Sequence, residues 1–178
     1  MACLSIAALV RECGAEGSVG GSDKVYMVAH NDLAVVSGTS VYSMVNDEVT
    51  EIGLESGKTF VEIALLKSTS GLNTEFTKNF QTASNYFTHT FTLVLGGMTK
   101  ANYQFVESVR YQPVVVLLKT RTNKWFVIGL NGQLELSTLT GGSGVAEGDL
   151  NGYTLTFSGI DGKQPLHVNE LIVPELIG

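Results

Sequence analysis

Three histidines, two cysteines and seventeen acids are the side chains from which this 178-residue chain could most readily build chemistry. The segment "GLESGKT" at 53–59 comes nearest to a known motif. A phosphate-binding loop reads G-x-x-x-x-G-K-[ST] and opens a helix whose first amides hold the phosphate. Here the spacing is one residue short, and the following "FVEIALLK" has the composition of a strand. The segment therefore reads as a hairpin turn with a solvated Lys58. His30, His89 and His167 lack H-E-x-x-H or any other metal spacing. His89 falls on the apolar face of its strand and is expected to be a hydrogen-bonded core residue. Cys3 and Cys13 are too few for a zinc site or a secreted disulfide framework, and read as reduced thiols. No G-x-S-x-G elbow occurs, and "GAEGSVGG" and "GGSG" are not dinucleotide fingerprints. The acidic stretch Asp47, Glu48, Glu51, Glu55 reads as a solvated face, with a selected negative surface as the alternative. Paired carboxylates across a cleft would suit a glycosidase, but seventeen acids single out no pair. The expectation is a protein with no catalytic residues, no cofactor and no metal: not an enzyme.

The elements that would position any site are mostly strands. Val, Thr, Ile, Phe and Tyr dominate the ordered-looking segments, and Gly, Asn and Asp separate them. "KVYMVA", "NDLAVV", "TSVYSMV" and "EVTEIGL" lead. In "KTFVEIALLK" (58–67), Thr59, Val61, Ile63 and Leu65 share one face. Residues 72–81 put Leu72, Phe76 and Phe80 on one side, and Asn73, Glu75, Thr77, Asn79 and Gln81 on the other. Residues 86–95 answer with Phe87, Phe91, Leu93 and Leu95 against Thr88, Thr90 and Thr92. These two segments predict a long antiparallel hairpin turning near Thr82–Asn85, with one core face and one polar face. Lys78 falls with Leu72 and Phe76, snorkelling to an edge.

Residues 99–111 predict the one helix. Thr99 can cap it, Ala101, Phe105, Val106 and Val109 form its stripe, and Pro113 ends it. "PVVVLLKT" and "KWFVIGL" read as buried strands. Asn131-Gly132 before "QLELST" predicts a type I′ hairpin turn. Residues 141–152 are loop-like, "YTLTFSG" is a strand, and the apolar tail "PLHVNELIVPELIG" is expected to pack on a neighbour. About ten strands and one flanking α-helix predict an all-β, mainly antiparallel sandwich or barrel.

Composition narrows the class. Hydrophobic residues make up 44% and charged residues 16%, against a typical ~25% charged. Much of the surface must then be uncharged or hidden in subunit contacts. Eleven basic and seventeen acidic residues give a net charge of −6. Wrapping nucleic acid or binding an anionic membrane wants the opposite sign. The opening "MACLSIAALV" is apolar but short and lacks a basic leader, so no signal peptide is expected. No apolar run approaches the ~20 residues of a membrane helix.

The most distinctive segment is 141–165, "GGSGVAEGDLNGYTLTFSGIDGKQP". It resembles a C-terminal pattern of small virion proteins from tailed phages infecting Bacteroidetes, crAss-like phages included. In these tail tube-like or ring proteins a Gly-rich loop, "G-D-L-x-G-Y-T-L-T-F-x-G" and a proline recur. Upstream, "VYMV", a polar hairpin, a helix, "R-Y-x-P-x-V-V" and "W-F-V-I-G-L-N-G" follow in the same order. The match spans most of the chain, with its specific part in 141–165.

The resemblance implies a tail tube-like β-sandwich or barrel, residues 23–178, behind an N-terminal Gly-rich arm, residues 1–22. It implies a structural protein of the virion tail, assembled in the host cytoplasm, whose rings line a channel for genome and ejected protein. The expected partners are further copies of itself, as a hexamer with a dodecamer as the alternative. Neighbouring tail or portal-proximal ring proteins would join them; DNA would pass without specific binding, and no membrane is involved. A lumen must not grip phosphate, so the polar face of Asn73, Glu75, Thr77, Asn79, Thr88, Thr90 and Thr92 is the candidate lining. Gly17, Gly20, Gly21, Gly141, Gly142 and Gly144 lack bulk and are candidate subunit contacts. The competing reading is a carbohydrate-binding or adhesin-like β-sandwich of a tail fibre or cell surface. Such a module wants an exposed aromatic platform, whereas Trp125 reads as buried in its strand. A third reading, a small β-barrel enzyme, has no residue to nominate.

Overall fold

The computed structural model describes residues 20–66, 69–146 and 148–178. Among these residues, eleven strands fall into two sheets. The strands are β1 (Ser22–Ala29), β2 (Tyr42–Val45), β3 (Glu48–Ile52), β4 (Val61–Ile63), β5 (Gly71–Asn79), β6 (Ser84–Gly96), β7 (Val114–Thr120), β8 (Trp125–Ile128), β9 (Glu135–Gly142), β10 (Gly152–Asp161) and β11 (Leu166–Val168). Helix α1 (Lys100–Val109) joins β6 to β7, α2 (Val173–Ile177) ends the chain, and a 3-10 turn covers His30–Asp32. The larger sheet has seven strands in the order β2-β3-β11-β8-β7-β1-β4, and the smaller has four in the order β5-β6-β10-β9. Every pairing is antiparallel except β3 with β11.

The apolar pattern explains why the large sheet sits in the middle. In β7, "VVVLL" is buried throughout, as expected of a strand covered on both faces. Val114, Val116 and Leu118 meet Phe91, Leu93, Leu95, Leu155 and Phe157 of the small sheet, with Val106 and Val109 of α1 closing one end. Val115 and Leu117 turn the other way, onto Tyr42, Val49, Phe60, Trp125 and the C-terminal Val173 and Leu176. Each such fully buried side chain contributes about 1.5–3 kcal/mol of apolar transfer. Thr99 caps α1, its hydroxyl accepting the Asn102 N–H at 3.2 Å.

Several expectations change. Asn131-Gly132 is not a hairpin turn. β8 and β9 belong to different sheets, and neither residue has positive φ. The segment is a crossover in which Asn131 Nδ2 donates to the Tyr42 hydroxyl at 3.1 Å. Glycine is required at 132 for another reason: a Cβ there would collide with the Ile160 carbonyl oxygen. The C-terminal tail packs on its own chain, with the Phe60 N–H donating to the Leu176 carbonyl at 2.8 Å. Among the described residues 58–66, only Val61–Ile63 is strand. Phe60 is buried while Val61 is exposed, because Phe60 serves the core beneath α2. Lys58 sits in a turn, Gly57 taking φ +78°, but pairs with Asp32 at 3.1 Å. The turn joins β3 to β4 on opposite sides of the sheet, so it closes no hairpin.

Candidate functional site

Antiparallel register decides which side chains share a face, since directly paired residues point the same way. In the β5–β6 hairpin the pairs are Asn73 with Thr90, Glu75 with Thr88, Thr77 with Tyr86, Asn79 with Ser84, and Gly71 with Thr92. All seven candidate lining residues therefore lie on one face, the one turned away from the core. The face continues across the sheet. Thr90 pairs with Ser158 and Thr92 with Thr156; Ser158 pairs with Glu135, Thr156 with Thr138 and Thr154 with Thr140. At these paired positions the face carries two carboxylates, Glu75 and Glu135, and no Lys or Arg. Asn73 Nδ2 donates to Glu75 Oε1 at 3.2 Å, holding the carboxylate along the strand. A bulge between Thr156 and Phe157 sets Ser137 beside the ladder, its hydroxyl donating to the Thr156 carbonyl at 2.9 Å.

The β9–β10 half of this face follows from the alternation in "YTLTFSG": Thr154, Thr156 and Ser158 are the polar partners of Tyr153, Leu155 and Phe157. The signal is present in the strand's own alternation. Glu135 carried no comparable signal, because its face depends on the bulge.

Among the described residues, no strand pairs with either outer edge of the small sheet. β5 offers a nine-residue edge and β9 an eight-residue edge. The hairpin also overhangs its neighbours. β10 pairs with β6 only from Phe87 onward, leaving Ser84–Tyr86 bonded to β5 alone. The turn spans 80–83, two residues earlier than expected, with Ala83 at φ 53°. Asn79 Oδ1 accepts the Gln81 and Thr82 N–H groups at 2.9 and 3.3 Å and shapes it. The overhang changes the fate of the predicted core face. Leu72 is half-buried, but Phe76 is 56% and Phe80 84% exposed. Lys78 lies on that side, its ammonium 5.0 Å from the centre of the Phe80 ring.

His89 marks where the hairpin meets the core. It is buried; Nε2 donates to the Lys163 carbonyl at 3.0 Å, and Nδ1 lies 3.0 Å from the Thr74 hydroxyl. With the proton on Nε2, Thr74 is the donor to Nδ1, so both nitrogens of a neutral ring are satisfied. His30 Nε2 lies 3.3 Å from the Leu130 carbonyl, and His167 packs on Phe126 at 4.5 Å between ring centres. The described residues hold no group of three or more metal-ligating side chains. Trp125 is buried, with Lys119 over its ring. Asp47, Glu48, Glu51 and Glu55 are all exposed.

The glycines divide. Gly17 lies outside the described residues, as do Cys3 and Cys13. Gly20 is exposed, and Gly21 lies just before β1 with its carbonyl 3.4 Å from the Arg121 nitrogen. Gly141 and Gly142 belong to β9, opposite Tyr153 and Gly152, so that strand runs two residues into the predicted loop. Gly144 lies in the loop at φ +73°. There Asp149 Oδ2 accepts the Val145 and Ala146 N–H groups, each at 2.8 Å. The Ala146 N–H first, then that of Val145, holds the Asp149 carboxyl below its ordinary value.

No helix among the described residues is long and apolar enough to cross a membrane. Compared with protein-family models, curated proteins and solved structures, the chain matches none of them.

Proposed function

We propose that this protein is a structural subunit of a phage tail, assembling into a ring or tube whose channel is lined by the polar face of the small sheet. The observation that carries the reading is a four-stranded sheet whose long edges are open on both sides among the described residues, and whose outer face is free of Lys and Arg at its paired positions. An open edge is a template for another strand. Because two strands, β6 and β10, lie between the edges and every neighbour pair is antiparallel, β5 and β9 run in opposite directions. Rotation alone then brings β9 of one copy antiparallel to β5 of the next, and repetition closes a ring. The lining would consist mainly of threonine, asparagine and serine with Glu75 and Glu135, joined by Tyr86, Val94 and Ile160 on the same face. DNA sliding past it would meet no cation, and so would release no counterions and gain no salt-dependent grip. The likeness of 141–165 to tail tube-like proteins supports the same reading. A hexamer remains the favoured ring, and neighbouring tail rings its next partners.

Light scattering with negative-stain microscopy of the purified full-length protein tests this. The expected result is a closed ring or tube at micromolar concentration or on addition of an assembled tail. A virion without any symmetric ring of this chain would overturn it.

A further inference from the structure

The tip of the overhanging hairpin and the groove at its root are both left without a partner by the fold. On the inner side of the tip, Phe76 and Phe80 are exposed. Lys78 lies with them, over the Phe80 ring, and meets no carboxylate among the described residues. Between Glu75 and Glu107 the sequence contains no acid. The tip is therefore an apolar and cationic knob on a protein of net charge −6. At the root, on the same side, lies a groove of about 820 Å3 with a mixed lining. Met44, Phe87 and Pro165 give it apolar walls, and Asn46, Asp47 and Lys163 give it polar ones. Its two charges are not equivalent. Lys163 Nζ donates to the Tyr42 hydroxyl at 3.3 Å and lies 5.6 Å from the centre of that ring. Asp47 is exposed and has no partner among the described residues. It sits in a tight two-residue turn between β2 and β3, Asn46 and Asp47 taking φ 53° and 64°, which fixes it beside the groove.

From these placements we infer that two copies dock hairpin to hairpin about a two-fold axis, the Phe80–Lys78 tip of each seated in the groove of the other. Three observations select a second copy as the occupant. The groove offers apolar walls and one unpaired negative charge, and the tip carries an apolar ring and one unpaired positive charge. Phe80 meets Phe87 and Pro165, and Lys78 meets Asp47. Next, knob and groove lie on one side of one hairpin, joined where Phe76 packs on Phe87 at 4.9 Å between ring centres. The contact is thus self-complementary, and the antiparallel placement that seats one tip seats the other. Finally, a tip cannot serve its own groove. β5 and β6 stay paired through the whole hairpin, and the four residues from Phe76 to Phe80 carry the tip roughly 13 Å away from the root. The pairing uses the inner side of the hairpin and neither the open edges nor the outer polar face, so it is independent of the proposed channel.

Sedimentation equilibrium of the purified full-length protein tests this, with the urea midpoint as the control for folding. Wild type is expected to dimerise at micromolar concentration. Phe80→Asp, which removes the anchor from both tips, should raise the dissociation constant about a hundredfold. Asp47→Lys and Lys78→Asp each bring like charges together and should each raise it about tenfold. Combined in one chain they restore opposite charges across the contact, and the constant should return close to that of wild type. A double variant no tighter than either single one would overturn the inference. So would wild-type protein that stays monomeric, or a dimer indifferent to Phe80→Asp. Rings that form equally well from wild type and from every one of these variants, with no dimer preceding them, would overturn it and leave the channel reading intact. A dimer that obeys the charge exchange but never closes into rings would uphold it without that reading.

Discussion

The two sheets of this molecule solve the problem of the sheet edge in opposite ways. The seven-stranded sheet ends in β2 and β4, of four and three residues, and its central strand β7 is covered on both faces. Short edges leave little for another chain to pair with. The four-stranded sheet ends in strands of nine and eight residues, and one of its faces is bare. Its sequence is equally divided, with an apolar side that joins the core and a Thr-rich side that faces water. Stability is concentrated in the first sheet and its shared core, whereas the capacity to meet another molecule is concentrated in the second. A fold that only needed to be stable would have shortened β5 and β9 as it shortened β2 and β4.

The sharpest way to break this comparison is to truncate one phenylalanine from each region. Phe157, fully buried between the sheets, should cost about 4 kcal/mol as Phe157→Ala, from lost transfer and the cavity left behind. Phe80→Ala, on the overhang, should move the urea midpoint by no more than about 0.5 kcal/mol. Similar losses for the two would mean that the hairpin tip is integrated into the core. The next largest effect is expected where the chain crosses between sheets. Gly132→Val forces a Cβ into the Ile160 carbonyl, and overpacking of this kind should cost about 3 kcal/mol. An unaltered midpoint would show that the crossover is looser than its geometry. A smaller loss belongs to the junction of hairpin and core. His89→Leu removes both ring partners, leaving the Lys163 carbonyl and the Thr74 hydroxyl without their bonds to the ring, and should cost about 2 kcal/mol. Hydrogen exchange should then rise in β5 and in the 161–165 segment while β7 stays protected. Uniform loss of protection would contradict a junction-specific role.

Much of this division was legible in the sequence, because alternation is a local signal. "GLNTEFTKNF" and "NYFTHTFTLVL" each state which residues share a side, and their pairing followed from adjacency. Thr99 caps α1 for an equally local reason, whereas the helix ends at Val109, ahead of the Pro113 expected to end it. What was not legible depended on where strands go after they end. Asn131-Gly132 has the composition of a tight turn, yet β8 and β9 part into different sheets, and only the approach of Ile160 reveals why glycine stands there. Phe76 and Phe80 carry the alternation of a core face, but whether a partner layer extends far enough to cover them is a matter of strand length elsewhere. Glu135 joined the polar face only through the bulge at Thr156, which no spacing announced.

The smallest effect on stability should come from the residues argued to matter most for function. Glu75 pairs with Thr88 and Asn73 with Thr90, so Glu75→Lys and Thr90→Lys both add a cation to the exposed face without touching the core. The folding midpoint should stay within about 0.5 kcal/mol of wild type, and assembly should proceed. What should change is the grip on DNA. Each phosphate newly contacted steepens the fall of log K with log salt by about 0.9, and a ring multiplies the contact by its number of subunits. Assemblies carrying either substitution should therefore retain duplex DNA at low salt and release it as salt rises, and virions built from them should deliver the genome slowly. Wild-type assemblies should retain none at moderate salt. Retention by the wild type, or an assembly that places Glu75 and Thr90 on its outer surface, would separate the polar face from the channel and leave the open edges and the hairpin tip as the features requiring a partner.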